Sequence, residues 1–127
     1  MLQNESVLEI ADNSGVQRIL IIRCLGGSNR RYSGIGDLVV ATVKKVKPNY
    51  EIKKGQIVLA LIVTTKKYFH RQISNTWIKF SHNYAVIIKK DDQKKYKLVG
   101  TRVLIPLISE LYKEKYKEIT SLSQGML

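Results

Sequence analysis

Short runs of β-branched and aliphatic residues recur along this chain, each closed by a cluster of turn-forming residues. Six runs stand out: Val7 to Ile10, Val16 to Cys24, Asp37 to Val46, Ile57 to Thr65, Thr76 to Phe80 and Tyr84 to Lys89. They are bounded by Asp12-Asn13-Ser14-Gly15, Gly26-Gly27-Ser28-Asn29, Pro48-Asn49, Lys54-Gly55, Ser74-Asn75 and His82-Asn83. Strands at this spacing, with no long helix between them, predict an antiparallel barrel or sandwich. Within residues 38–46 both parities are apolar until Lys44 and Lys45, so the lysine end is expected to project from the body. Tyr68 to Phe80 reads as a hairpin arm with Ser74-Asn75 at its tip, since Asn tolerates the left-handed backbone a tight turn needs.

The pattern changes near the C-terminus. Leu107 and Leu111, and Ile108, Tyr112 and Tyr116, recur at spacing four behind Pro106, a residue tolerated in a first helical turn. These predict a short helix capping one barrel end, with Glu110 to Lys113 and Glu114 to Lys117 as ion pairs on its outer face. Lys89 to Lys97 is polar enough for a mobile loop. The chain of 127 residues suits one domain, barrel over about 1–105 and helical segment over about 106–127.

Charge adds what the pattern does not show. Twenty-two Lys and Arg against 10 Asp and Glu leave a formal net charge of +12. Residues 1–22 carry Glu5, Glu9 and Asp12 against Arg18, and residues 106–127 balance to zero, so the excess lies in residues 23–105. Residues 57–90 hold Lys66, Lys67, Arg71, Lys79, Lys89 and Lys90 without one acid. Such a field repels copies of the same chain, so no homo-oligomer is expected, and it attracts polyanions. A membrane surface is the poorer partner, because the cations fall on strands and loops and not on one amphipathic helix. No apolar run approaches the roughly 20 residues that span a bilayer. The acidic N-terminus reads as carrying no targeting segment, and one cysteine, Cys24, excludes an internal disulfide or thiolate zinc site, which points to an intracellular setting.

Enzymatic chemistry is missing. His70 and His82 have no neighbouring carboxylate in sequence and read as surface or nucleic-acid contacts. Cys24 ends an apolar run and reads as a buried, inert thiol. Gly34-Ile35-Gly36 begins like a dinucleotide fingerprint, but Val39 stands where the third glycine belongs and a strand follows. No phosphate-binding loop, nucleophile elbow, metal cluster or paired acids emerge, so no cofactor is expected.

Polyanion chemistry is present in three patches. Ser28, Asn29, Arg30, Arg31 and Tyr32 follow two glycines, placing guanidinium groups where the backbone can approach a phosphate. Lys66, Lys67, His70, Arg71 and Lys79 interleave with Tyr68, Phe69 and Trp77 on the arm, where Trp77 and Phe80 read as core residues. Lys44, Lys45, Lys47, Lys53 and Lys54 bracket Pro48-Asn49-Tyr50. Several basic loops without a base-reading helix suggest folded RNA, recognised by its phosphates and shape. The alternative is a free single-strand-binding barrel of oligonucleotide-binding type, stacking bases on Tyr68, Phe69 and Trp77. Quenching of a buried Trp77 by short oligonucleotides would not be expected.

Ala11-Asp12-Asn13-Ser14-Gly15, then Leu25-Gly26-Gly27-Ser28-Asn29-Arg30-Arg31-Tyr32 with Gly36-Asp37, Thr65-Lys66-Lys67, Asn83, Gly100-Thr101-Arg102 and Glu110-Leu111 occur in characteristic order. In these blocks the whole chain resembles the family of ribosomal protein fourteen of the large subunit, in its bacterial and organellar form. The resemblance implies a mainly β protein: a small five-stranded β-barrel with a projecting β-ribbon and short C-terminal helices. It also implies binding of large-subunit rRNA and a position on the face that meets the small subunit. Partners implied are neighbouring large-subunit proteins, small-subunit rRNA across a bridge and a ribosome-silencing factor. The three patches and Arg102 are then the rRNA contacts, and Thr101, Arg102, Glu110, Lys113 and Lys117 the protein or small-subunit contacts. The chain departs from the family pattern at Thr64, at the Ser74-Asn75 tip and around Leu104-Ile105-Pro106 and Ser109. Heavy use of Lys, Ile, Tyr and Asn fits an AT-rich genome, favouring a mitochondrial or plastid ribosome, with an AT-rich bacterium as the alternative.

Overall fold

The computed structural model describes residues 2–27, 31–71, 74–91, 96–108, 116–123 and 125. Eight strands lie within them: β1 (Val7–Ile10), β2 (Val16–Cys24), β3 (Leu38–Val46), β4 (Ile57–Thr64), β5 (Phe69–Arg71), β6 (Thr76–Ile78), β7 (Tyr84–Lys90) and β8 (Tyr96–Leu98). One helix, α1 (Lys117–Ser121), follows.

β1, β2, β3, β4 and β7 form the barrel, each antiparallel to the next. Closure departs from the purely antiparallel expectation, because β1 meets β7 in parallel, Glu9 against Tyr84 and Ile10 against Ala85. The reason is arithmetic: in an up-and-down run of five strands the first and last point the same way. Period-two alternation then sorts the side chains. Leu8, Ile19, Ile21, Val39, Ala41, Val43, Ala60, Ile62, Ala85 and Ile87 point inward and are almost fully buried. At roughly 1.5–3 kcal/mol per fully buried large aliphatic side chain, this interior is the main favourable term holding the barrel closed.

The opposite parity of β4 and β7 is apolar too, and a second layer covers it. Leu61, Val63, Val86 and Ile88 pack outside the barrel against Val103, Leu107, Ile108, Tyr116 and Ile119, with Phe69, Ile78 and Phe80 of the arm beside them. The C-terminal segment therefore covers the barrel wall and not its end. Pro106 to Ile108 is not helical, contrary to the periodicity, because Leu107 donates its N–H to the Gly125 carbonyl at 3.0 Å and lies in extended backbone. The helix starts only at Lys117; Leu111, Tyr112 and the pairs involving Glu110, Lys113 and Glu114 lie outside the described residues. Part of the polar stretch after Lys89 is strand, since Tyr96–Leu98 pairs with Ile88–Lys90 on β7.

Two ends of the barrel follow from this topology. At the first lie the β2–β3 loop and the β5–β6 arm, which is inserted between β4 and β7. At the second lie the β1–β2 turn, the β3–β4 loop and Gly100 to Arg102. β3 outruns β4: its pairing to β4 stops at Thr42, while Lys45 and Val46 pair only with the start of β2. The lysine end of β3 does project from the barrel body.

Candidate nucleic-acid interface

The described part of the first patch, Arg31 and Tyr32, sits at the first end. Ser28, Asn29 and Arg30 lie outside the described residues. Arg31 and Tyr32 are exposed beside them, and Ser33 is anchored by two backbone hydrogen bonds of 2.7 Å with Leu2. Cys24, 1% exposed, lies 3.8 Å from the carbonyl oxygens of Leu2 and Arg31, a free thiol under the root of the loop. Asp37 accepts a 2.7 Å hydrogen bond from the Gly34 N–H, tightening the return into β3.

The second patch shares that end. Thr64 Oγ1 donates to the His82 carbonyl at 2.9 Å and accepts from the Tyr84 N–H at 3.0 Å, clamping the two roots of the arm. The Asn83 side chain accepts the Lys66 N–H at 2.8 Å, and Thr65 Oγ1 donates to the Lys67 carbonyl. Lys66 and Lys67 are thus set by a fixed backbone while their side chains stand in solvent. The arm pairs Phe69 with Ile78, His70 with Trp77 and Arg71 with Thr76. Alternation turns Phe69 and Ile78 toward the barrel and presents Tyr68, His70, Trp77 and Lys79 outward. His70 lies 4.7 Å from Trp77 ring to ring, Lys79 sits 5.1 Å above the Tyr68 ring, and His70 Nε2 is 3.0 Å from Asn75 Oδ1. Asn75 has φ 49°, the left-handed tip the sequence called for.

Trp77 corrects the expectation of a core residue: it is 65% exposed, whereas Phe80 is half-buried in the outer layer. Propensity could not distinguish them, because the pairing register alone decides which face of the arm each takes.

The third patch lies at the second end. Lys44, Lys45, Lys47, Lys53 and Lys54 are all exposed, at the tip of β3 and on the loop after it. Neither these five nor Lys66 and Lys67 makes an ion pair with another described residue; elsewhere Glu9 lies 3.7 Å from His82 and Asp91 3.5 Å from Lys97. Unneutralised cations on rigid supports are what a phosphate backbone requires. The three sequence patches therefore resolve into two poles, with the first and second patches together and the third opposite.

Gly100-Thr101-Arg102 belongs to the second pole as well. Asn13 Oδ1 accepts the N–H groups of Thr101 and Arg102 at 2.8 and 3.2 Å, and Asn13 Nδ2 donates to Thr101 Oγ1 at 2.6 Å. A Cβ on Gly100 would fall 2.5 Å from that same Asn13 oxygen, so any other residue there would have to displace the Asn13 side chain. Both side chains, Thr101 and Arg102, are exposed, as is Lys117 on α1. Glu110 and Lys113 lie outside the described residues. Beneath this loop the Asp12 carboxylate is buried and accepts from the Ser14 N–H, the Ser14 hydroxyl and the Ile87 N–H. Burial pushes its pKa above the ordinary 3.8, a rise that the bonds from Ser14 and Ile87 oppose.

Sequence reasoning passed over Arg18, Arg23, Tyr50 and Tyr84. Arg18 and Arg23 are exposed on the outer face of β2, and Tyr50 is half exposed against Gly15. Isolated arginines in an apolar strand carry no sequence signal; only the register, which sets Arg18 beside Lys45, makes them part of a charged surface.

A small closed barrel with lysines at both ends that make no ion pair with another described residue, and with charged loops held by buried anchors, has the chemistry of a polyanion-binding protein. The family model of ribosomal protein L14p/L23e matches residues 1–127, the whole chain, and the chain belongs to that family. It is accordingly a structural protein of the large ribosomal subunit.

Proposed function

We propose that the chain grips large-subunit rRNA from both poles of its barrel at once. Arg30, Arg31, Lys66, Lys67 and Arg71 would serve the first pole and Lys44, Lys45, Lys47, Lys53 and Lys54 the second. Ser28, Asn29, Tyr32, His70, Lys79 and Arg102 supply the neighbouring polar and stacking contacts. The observation that carries this reading is the set of seven lysines that face solvent at opposite ends without a carboxylate partner among the described residues. Its test is co-sedimentation of the native protein with large subunits at moderate salt. A protein that stays at the top of the gradient overturns the reading.

The exposed loop Thr101-Arg102, held by Asn13 and joined to the end of α1 through Val103 N–H to Leu122 carbonyl, supports a role at the intersubunit face. There it would contact small-subunit rRNA and offer a surface for a silencing factor, with Lys117 nearby on α1 and Glu110 and Lys113 assigned by the family pattern. Changing Thr101 to Ala should slow subunit joining, read by light scattering, while leaving incorporation into the large subunit unchanged. Loss of incorporation would instead make Thr101 an rRNA contact like Arg102.

Neighbouring large-subunit proteins are assigned to the outer wall of β1 to β4. Val7, Leu20, Thr42 and Ile57 stand directly opposite one another across four strands, with Val7 52% and Ile57 66% exposed and no charge among them. A row of that kind suits protein better than phosphate. The AT-biased composition favours a ribosome of an organelle, with an AT-rich bacterium the competing source.

The single-strand-binding alternative draws on the exposed Tyr68, His70, Trp77 and Lys79 face. Because Trp77 is exposed, its quenching by an oligonucleotide no longer separates the two readings. Competition does: unlabelled large-subunit rRNA should displace a single-stranded oligonucleotide far more effectively than the reverse.

A further inference from the structure

A cleft of about 450 Å³ opens on the outer surface where the end of β1 and the start of β2 meet the end of β3. Its floor is a row in strand register: Tyr84, Glu9, Arg18 and Lys45 stand opposite one another across β7, β1, β2 and β3. Lys47 and Tyr50 close one side.

Tyr50 is the most built part of this site. Its ring lies directly on Gly15, where a Cβ would fall 2.2 Å from Tyr50 Cγ, and Gly15 itself adopts φ 91°. One ring face is therefore spent on backbone, and Tyr50 is nevertheless 46% exposed, leaving ring surface open to the cleft. Glycine at position 15 is needed twice over, for the turn and for this approach. Around the ring, Arg18, Lys45 and Lys47 make no ion pair with another described residue, and the Gln17 amide makes no hydrogen bond with one. Two carboxylates line the cleft: Glu9 lies 3.7 Å from His82, and the buried Asp12 is taken up by the Ser14 and Ile87 donors.

An aromatic face held in place, three free cations and one free amide are the complement of a nucleotide: base, phosphate and base edge. We propose that this cleft takes one unstacked nucleotide, its base on Tyr50 with Tyr84 at the far wall, its phosphate on Arg18, Lys45 and Lys47, and its polar edge toward Gln17. The inference rests on the rRNA-binding reading for the source of that nucleotide, and adds a base-stacking site where phosphate contact alone had been assigned to Lys45 and Lys47. A duplex cannot supply it, because paired bases are stacked on one another; a loop or bulge can.

Two arms test it with the full-length chain. In the first, binding to a large-subunit rRNA fragment is measured across salt concentrations. Tyr50→Ala should lower affinity about tenfold with an unchanged salt slope, since stacking is worth that much and releases no counterions. Tyr50→Phe should bind within about twofold of the parent, and Arg18→Ala should reduce the slope by about one. In the second, adenosine 5′-monophosphate, uridine 5′-monophosphate and inorganic phosphate are titrated while backbone amide resonances of Gln17, Arg18 and Tyr50 are followed. Larger shifts with either nucleotide than with phosphate identify the site as able to take a free nucleotide; a Tyr50→Ala defect on RNA without such shifts makes an RNA loop the occupant. Wild-type RNA affinity in Tyr50→Ala together with nucleotide shifts no larger than those of phosphate overturns the proposal. Failure of the parent protein to bind rRNA at any salt defeats the underlying reading instead, and leaves the nucleotide titration to decide the cleft.

Discussion

Asp12 occupies a gap that no strand fills. β1 pairs with the first half of β7 and β8 with the second, and between them the Ile87 N–H would face nothing, were it not accepted by Asp12 at 2.9 Å. The same carboxylate holds the Ser14 N–H at 3.0 Å, so the turn that carries Asn13 is fastened to the barrel wall. Asp12→Ala orphans two buried N–H groups and should destabilise the protein by about 2 kcal/mol, seen as a lower urea midpoint with an unchanged slope. The pH dependence has a definite sign. A carboxyl raised in the folded state stabilises fully below its unfolded value of 3.8, and that contribution is lost as pH rises through the raised value. The gap between the parent and Asp12→Ala should therefore be widest near pH 3.5, narrow as pH climbs through the folded pKa, and then level off. A gap that widens toward neutral pH would mean the three hydrogen bonds outweigh desolvation. Gly100→Ala works on the neighbouring anchor: its Cβ would displace Asn13 and free Thr101 and Arg102, detectable as faster amide exchange at those two residues.

The arm and the helix show how elements turn anchors into function. The arm has only three paired positions, too few to stand alone as an isolated hairpin. Its orientation comes from Thr64, Thr65 and Asn83 at the root and from Phe69 and Ile78 against the outer layer. Asn83→Ala removes no charge but releases the Lys66 N–H; rRNA affinity should fall severalfold with the salt slope intact. An equal loss of slope would show that Asn83 acts through charge after all. In the same outer layer, α1 is five residues long and cannot persist without packing. Ile119, fully buried against the outer layer, carries it, so Ile119→Ala should cost about 3 kcal/mol of global stability. A cost under 1 kcal/mol would mean the C-terminal segment is dispensable to the barrel.

For the whole molecule, the decisive feature is that the charge is divided between two poles and not gathered on one face. If both poles meet RNA together, Lys66→Ala with Lys67→Ala should lower the salt slope by about 1.5, and Lys53→Ala with Lys54→Ala by a similar amount. The four changes combined should lower it by about 3, because the sites are too far apart to share phosphates. A combined effect no larger than either pair alone would mean that only one pole touches RNA at a time. The uncharged Val7 to Ile57 row between the poles would then be left for protein contact, letting one small barrel join RNA and protein at once.

Much of this was legible before any coordinates. Six β-branched runs and their turn clusters marked the barrel strands and β6 to within a residue or two, because an inward parity of Val, Ile and Ala is dictated locally by the period of two. The charge excess in residues 23–105, the glycine-opened Arg30-Arg31 loop and the family blocks were likewise written in residue order. Other features were decided only by long-range pairing. Periodicity placed a helix at Pro106, but an N–H bond to Gly125 holds that segment extended. Trp77 belonged to the core by composition and to solvent by register. Arg18, Lys45, Tyr50 and Tyr84 lie up to 66 positions apart and become one cleft only when β7, β1, β2 and β3 align. The sequence by itself thus determined that the chain is a polycation suited to a polyanionic partner and which strands it builds, since both follow from charge and local alternation. Where the cations stand relative to one another, and which aromatic rings meet them, was set by the closing of the barrel.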